Sequence, residues 1–360
     1  MEVFLILGKY ISRYSNLTLS TRIHVSTLSL ISLLVASVLV AISVGPVKIN
    51  FTSILSILSN PFVHESISHT ELERLIITDL RLPRIIVGIT VGMGLSVAGL
   101  TMQALFRNPM ADPGIIGVSA GGSLGAVVAI TVGLEHYFLF SVPLFAFLGS
   151  LTASIIVYSF AYSNGRLSMP TLLLAGVAIS AFFSSIISAT IVLQENPDSV
   201  RQILFWLAGG LDSRSWNHVL IATPLITIGT IIISFFSRDL NLLSISDDDS
   251  KSLGVNVDLV RPGFIVLSSL LTGLAVSVSG TIIFVGLITP HILRLIVGPD
   301  HRLLVPLCAI GGAFFVTIAD ILARSIIQPA ELQVGIITSL IGAPFFLFLL
   351  IKNKKNIHSY

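Results

Sequence analysis

Residues 81–125, RLPRIIVGITVGMGLSVAGLTMQALFRNPMADPGIIGVSAGGSLG, constrain this chain more than any other stretch. They are apolar enough to sit in hydrocarbon, and they are rich in glycine. Arg81, Arg84 and Arg107 bracket the apolar run, and Asn108-Pro109 and Asp112-Pro113 break it. A helix that crosses lipid, stops and re-enters needs that combination; a soluble domain does not. Apolar runs recur from residue 26 to residue 351, and about 20 such residues span the hydrocarbon core. Only 11% of the chain is charged, where soluble domains carry about 25%. The fold class is therefore an all-α polytopic membrane protein. A β-barrel is excluded because the apolar residues run continuously rather than alternating.

The pattern predicts a polar segment over 1–24, a single transmembrane domain over 25–351 and a polar tail over 352–360. Ten helices are expected, at about 25–44, 84–106, 115–134, 142–162, 171–193, 217–236, 262–283, 285–297, 303–327 and 333–351. The first run follows the basic residues Lys9, Arg13 and Arg22. It exceeds a signal-peptide core and lacks a clear small-x-small cleavage site, so it reads as a helix. Pro83 would fall in the first turn of the second helix, where proline is tolerated. Trp206 and Trp216, in a polar link over 194–216, suit a membrane interface. With both termini inside, 13 of the 20 Lys and Arg lie on the inner side, so the termini are expected in the cytoplasm of a cell or inner membrane. Arg81-Leu82-Pro83 leading to GLSVAG, and Arg261-Pro262 leading to GLAVSVSG, would start on opposite sides, as inverted transporter repeats do.

A net charge of +2 gives no case for nucleic acid. Cys308 is the single cysteine, so no intramolecular disulfide is possible. There is no GxxxxGK[ST] loop and no nucleophile–base constellation, so catalysis and nucleotide binding are not expected of this chain. His291 and His301 lack metal-site spacing, and no metal is expected. Asp320 is an intramembrane acid and so a functional candidate, but Arg324 four residues on offers an ion pair.

Three further features allow two readings each. Gly117, Gly121 and Gly125 share a face, as Gly88 and Gly92 do, and small residues let helix backbones approach. They suit static packing or a sliding contact beside a pore. Asn108 and Pro109, within RNPMADP, suit either a cytoplasmic turn or a moving element that gates or contacts a partner subunit. In the loop over about 240–258, Ser246 can cap a helix whose first turn holds Asp247, Asp248 and Asp249. Leu253-Gly254 would end it. That is a solvated charge cluster or a short docking helix.

In order along the chain, RLPR (81–84), QALFRNPMADPGIIGVSAG (103–121), LLLAGVAIS (172–180), FWLAGG (205–210), SKSLGV (250–255), FVGLITPHILRLIVGPDHR (284–302), ADILAR (319–324) and AELQVGIITSLIGAPFFLFLL (330–350) resemble the FecCD-type permeases. These are membrane subunits of ATP-binding-cassette importers for ferric siderophores, haem and vitamin B12. The resemblance implies the type II importer architecture: two permease subunits around one pore, two ATPase subunits inside, and a substrate-binding protein outside. ATP and Mg would sit on the ATPase, with no cofactor on this chain. It implies that Arg81, Arg84 and Arg324 meet glutamates of the binding protein. It also implies that Asp247, Asp248, Asp249, Leu253 and Gly254 belong to the element seated in the ATPase, and that helices 2, 3, 5 and 8–10 line the pore. One departure is visible: the family commonly has Glu-Leu-Pro where this chain has Glu331-Leu332-Gln333. The implied substrate is a metal chelate, with ferric siderophore leading and cobalamin or haem as alternatives. An ion-driven secondary transporter would need buried mid-membrane acids, and a receptor or scaffold would bind without flux.

Overall fold

The computed structural model describes residues 19–45, 47, 49–59, 70–138, 140–163 and 166–357. Fourteen helices are described: α1 Leu19–Ser43, α2 Phe51–Ser59, α3 Glu71–Leu105, α4 Val118–Thr131, α5 Ser141–Ala161, α6 Met169–Leu193, α7 Pro197–Ala208, α8 Trp216–Phe235, α9 Ser237–Leu243, α10 Asp247–Ser252, α11 Val257–Ser279, α12 Val285–Val297, α13 His301–Ser325 and α14 Val334–Ile357. Seven are long and apolar enough to cross a membrane, and the shorter apolar α4, α12 and α14 complete the expected ten. A two-residue hairpin, β1 Tyr162–Ser163 with β2 Arg166–Leu167, joins α5 to α6. Most of the expected 1–24 segment and the end of the tail lie outside the described residues. Within them, α1 begins at Leu19 and α14 continues to Ile357.

The bundle is built around α3. Between Ile85 and Leu105 almost every residue is buried, enclosed by α13, α11, α8, α12 and α1. Apolar side chains gain nothing by leaving lipid for protein, so close dispersion contact must hold helices together. Glycine supplies it. A Cβ on Gly92 would lie 2.2 Å from the Gly312 carbonyl on α13, and one on Gly99 would lie 2.2 Å from the Gly286 carbonyl on α12. Gly121 meets Gly149 of α5 in the same way, and Gly125 meets the Phe145 carbonyl. Static packing is thus the reading that Gly121 and Gly125 support. Gly117 is corrected: it precedes α4 as a left-handed residue (φ 81°) and shares no helix face with them. The expectation that α3 lines a pore is corrected too, because its neighbours within the chain enclose it. By contrast, α6 shows most of its surface to the outside.

The α3 helix also starts thirteen residues earlier than expected, at Glu71 rather than 84. Its 35 residues span roughly 50 Å, so its charged first turns project beyond hydrocarbon. Pro83 is then interior, where it removes a donor and crowds the carbonyl four residues back. A π-helical segment, Ile76–Arg81, absorbs the mismatch. Leu82 donates to the Ile77 carbonyl, which frees the carbonyl of Thr78. The Trp216 indole takes that carbonyl at 2.9 Å. The link over 194–216 is likewise not irregular, since it contains α7.

The α3 and α11 helices run antiparallel. Arg81 stands at one end of the bundle, while Arg261 stands at the other, beside Arg107 at the close of α3. This is the opposed placement expected of the two related stretches. Between α11 and α12 the chain breaks inside the bundle, at Gly280 (φ 66°) and Phe284 (φ 69°). Phe284 packs on Gly342 of α14. Gly92→Ala should lower stability by about 3 kcal/mol through overpacking, read as a drop in detergent thermal unfolding. Gly263→Ala, at an exposed position with nothing within 4 Å of the added carbon, should leave it unchanged or slightly raised.

Candidate functional site

Two polar clusters stand at opposite ends of the bundle. At the first, the last carbonyls of α1 have no partners within their own helix, and two arginines supply them. Arg81 donates to Ile42, Ser43 and Val47, and Arg324 donates to Ala41 and Val44. The negative end of the helix dipole favours these cations. Arg324 also pairs with Asp320 at 3.0 Å, the i,i+4 contact expected from spacing. Arg84 binds three carboxylates: Asp320 at 2.9 Å, Glu331 at 2.7 Å and Asp212 at 3.2 Å. The cluster borders an open cavity of about 860 Å³.

This geometry corrects the expectation that all three arginines are free to meet a partner. Arg81 is 5% exposed and Arg324 2% exposed, and their donors are already used inside the chain. Arg84 lines the cavity, but three acids surround it. Sequence reasoning missed Asp212 and Arg214, which were hidden in the polar link. Their signal was charge clustered between two apolar helices. Burial pushes Arg214 down to about 10, and Asp212 opposes the shift. Gln333, where the family commonly has proline, is buried with its side chain against Gly210. A Cβ on Gly210 would overlap it, so Gln333 locks the 209–215 turn to the start of α14.

At the second end, Ser246 caps α10 by accepting from the Asp249 amide at 3.0 Å, and Gly254 (φ 88°) follows its last turn. Both features follow the sequence expectation. Asp247 stands in the first turn as expected, and its half-exposed carboxylate also reaches into the bundle. It takes a fork of bonds from Arg261, one of them 2.8 Å, and a further bond from Arg107. Arg107 also donates to the Leu243 carbonyl at 3.0 Å. Asp247 therefore ties α10 to both α3 and α11. Arg107 closes α3 in a left-handed conformation (φ 48°) that glycine usually fills, and its side-chain bonds offset the strain. Asp248 stays exposed, and Ile245 (61%) and Leu253 (57%) expose apolar surface beside it. Asn108 and Pro109 form an exposed turn, in which Asn108 accepts from the Met110 amide. Nearby, Asn241 bonds Asp300 and the buried His301, fixing α9 to α13. Among the described residues no group of His, Cys, Asp and Glu is placed to hold a metal.

The FecCD transport family profile matches residues 33–352. The chain belongs to this family. It is 43% identical over 280 residues to the cobalamin import system permease protein BtuC of Halobacterium salinarum, covering 78% of this chain and 74% of the relative. It is 40% identical over 282 residues to the Fe(3+)-citrate import system permease protein YfmD of Bacillus subtilis, covering 78% and 83%. A solved structure of a metal-chelate type ABC transporter, in an inward-facing conformation, superposes with a TM-score of 0.79 at 31% identity. It covers 90% of this chain and 98% of that one. The FecCD chain is thus a multi-pass importer permease.

Two tests follow from these clusters. Arg324→Gln takes a donor from the Ala41 and Val44 carbonyls and leaves Asp320 to Arg84 alone, and the loss of these buried bonds should cost about 2 kcal/mol in detergent unfolding. At the other end, the hydrogen bonds from Arg261, then those from Arg107, hold Asp247 down to about 2 from 3.8. A lowered carboxylate stabilises fully above its unfolded value and loses that effect as pH falls through its folded value. Amides over 246–255 should therefore keep their protection from pH 7 to pH 4 and lose it towards pH 2, read by hydrogen exchange. Asp247→Asn should exchange faster already at pH 7, with no such acid step.

Proposed function

We propose that this FecCD permease moves a metal chelate, a ferric siderophore before cobalamin or haem, through a pore built with a second permease subunit. Two ATPase subunits on the cytoplasmic side would bind ATP and Mg and hydrolyse ATP, and a binding protein outside would deliver the chelate. Both termini would be cytoplasmic, in a plasma or inner membrane. This chain would bind no cofactor and catalyse no reaction. The observation that carries the reading is α10. It is a capped helix with Asp248, Ile245 and Leu253 outward, and Asp247 bolts it to α3 and α11. A push on its outer face would reach the centre of the bundle without crossing a flexible joint. The relatives named for cobalamin and ferric citrate support a chelate as cargo.

Docking of the binding protein is assigned to the rim of the Arg84 cavity. Arg81 and Arg324 act there by holding α1, and Arg84 by holding the acids at the rim. An ion-driven mechanism is disfavoured, because Asp320, the candidate acid, is paired with both Arg84 and Arg324.

The test is uptake in proteoliposomes carrying this chain, its ATPase and its binding protein. Labelled ferric siderophore, haem and cobalamin would be supplied with and without internal ATP. ATP-dependent accumulation of the ferric siderophore is expected, and uptake without the ATPase would refute the reading. Ile245→Asp with Leu253→Asp should cut copurification of the ATPase about tenfold or more while leaving the thermal unfolding of the permease unchanged.

A further inference from the structure

Close to the Arg84 end, where α5 and α8 begin and α11 ends, a polar cavity of about 370 Å³ opens between these helices, α7 and the 209–215 turn. Its wall carries Glu135 and Arg214, charges of opposite sign. One carboxyl oxygen of Glu135 and the Nε of Arg214 are buried without a hydrogen-bond partner among the described residues. The hydroxyl of Ser141, beside the lining residue Val142, is in the same condition. Asp212 also borders the cavity, but Arg84 engages its carboxylate. Glu135 and Arg214 are themselves half-buried, but polar atoms buried without a partner are costly, so the cavity suits an occupant that brings both a cation and an anion.

A second cavity fixes what that occupant is joined to. His218, Pro143 and Ser277 line the polar cavity and also an apolar groove of about 320 Å³. The groove runs between α5, α8 and α11 to Phe147, Leu225 and Leu274. Leu225 lies nine residues into α8, roughly 13 Å along its axis. Leu144, Ile221 and Leu225, on the lining, are about half exposed on the outside of the chain. The charged lining thus sits at the helix ends, and the adjoining groove, from Phe138 and Phe140 inward to Phe147 and Leu225, is almost wholly apolar. That is the profile of a phospholipid, with its headgroup outermost and an acyl chain inward.

We propose that these joined cavities bind an amine phospholipid from the leaflet at the Arg84 end, with its phosphate on Arg214 and its ammonium on Glu135. A guanidinium suits phosphate geometry, and a primary ammonium offers three donors to a carboxylate. A quaternary ammonium offers none, and a glycerol headgroup brings no cation. The site adjoins the Arg84 cavity, with which it shares Arg214 and Asp212, and does not depend on the identity of the cargo.

Native mass spectrometry of the full chain in detergent tests it. The chain would be titrated with phosphatidylethanolamine, phosphatidylcholine and phosphatidylglycerol of one acyl length. Ethanolamine lipid should bind about tenfold more tightly than either other, the effect of one charge-assisted bond. Arg214→Gln should weaken all three lipids about tenfold. Glu135→Gln should abolish the preference for ethanolamine over glycerol and leave phosphatidylglycerol binding as it was. Glycerophosphoethanolamine, the headgroup without chains, should bind at least about tenfold more weakly, since the groove is then empty. Equal binding of the three lipids by the unaltered chain would overturn the proposal. So would binding of glycerophosphoethanolamine as tight as that of the lipid, or unchanged binding in Arg214→Gln.

Discussion

In hydrocarbon, no water is present to satisfy a backbone amide or carbonyl, and most of this architecture answers that constraint. Helices satisfy themselves along their length, so the cost concentrates where they end or break. At the end of α1, Arg81 and Arg324 take the free carbonyls. At the π-helical segment of α3, Trp216 takes the carbonyl that Leu82 releases. Arg81, Arg324 and Trp216 thus each satisfy backbone carbonyls that their own helices leave free.

The same constraint explains why the two ends of the bundle differ. At the Arg84 end, buried cations and anions bind each other and the chain, leaving a braced rim around a cavity. At the Asp247 end, one carboxylate joins three elements and leaves the outer face of α10 exposed. The first arrangement resists deformation. The second links α10 through Asp247 to Arg107 and Arg261, and so to α3 and α11, as the proposed coupling requires. Glycine contacts such as Gly92 with Gly312 bring the backbones of α3 and α13 together with no side-chain slack between them.

Much of this was legible beforehand. The positions of the ten apolar segments, the short α12, the Ser246 cap, the Gly254 stop and the Asp320–Arg324 pair all follow from local rules. They depend on periodicity, capping chemistry and i,i+4 spacing, which involve residues close in sequence. The start of α3 was not legible, because Pro83 reads as a helix beginning unless a π-helical turn makes room for it. The burial of Arg81 was not legible either, because its partners are carbonyls 34 to 39 residues earlier. A backbone carbonyl has no side-chain signature.

The sequence by itself determined a ten-segment helical membrane protein, where it breaks, and which family it joins, because hydrophobic runs and ordered motifs are properties of the linear chain. Only the tertiary structure decided which charges remain available. Three arginines of the same kind proved to be two helix caps and the centre of a carboxylate cluster. Of three consecutive aspartates, Asp247 reached Arg261 and Arg107, Asp249 accepted from the hydroxyl of the capping Ser246, and Asp248 stayed outward. Charge and residue type are written in the chain, but a group's partners depend on which distant segments packing brings within about 3 Å, the reach of a hydrogen bond.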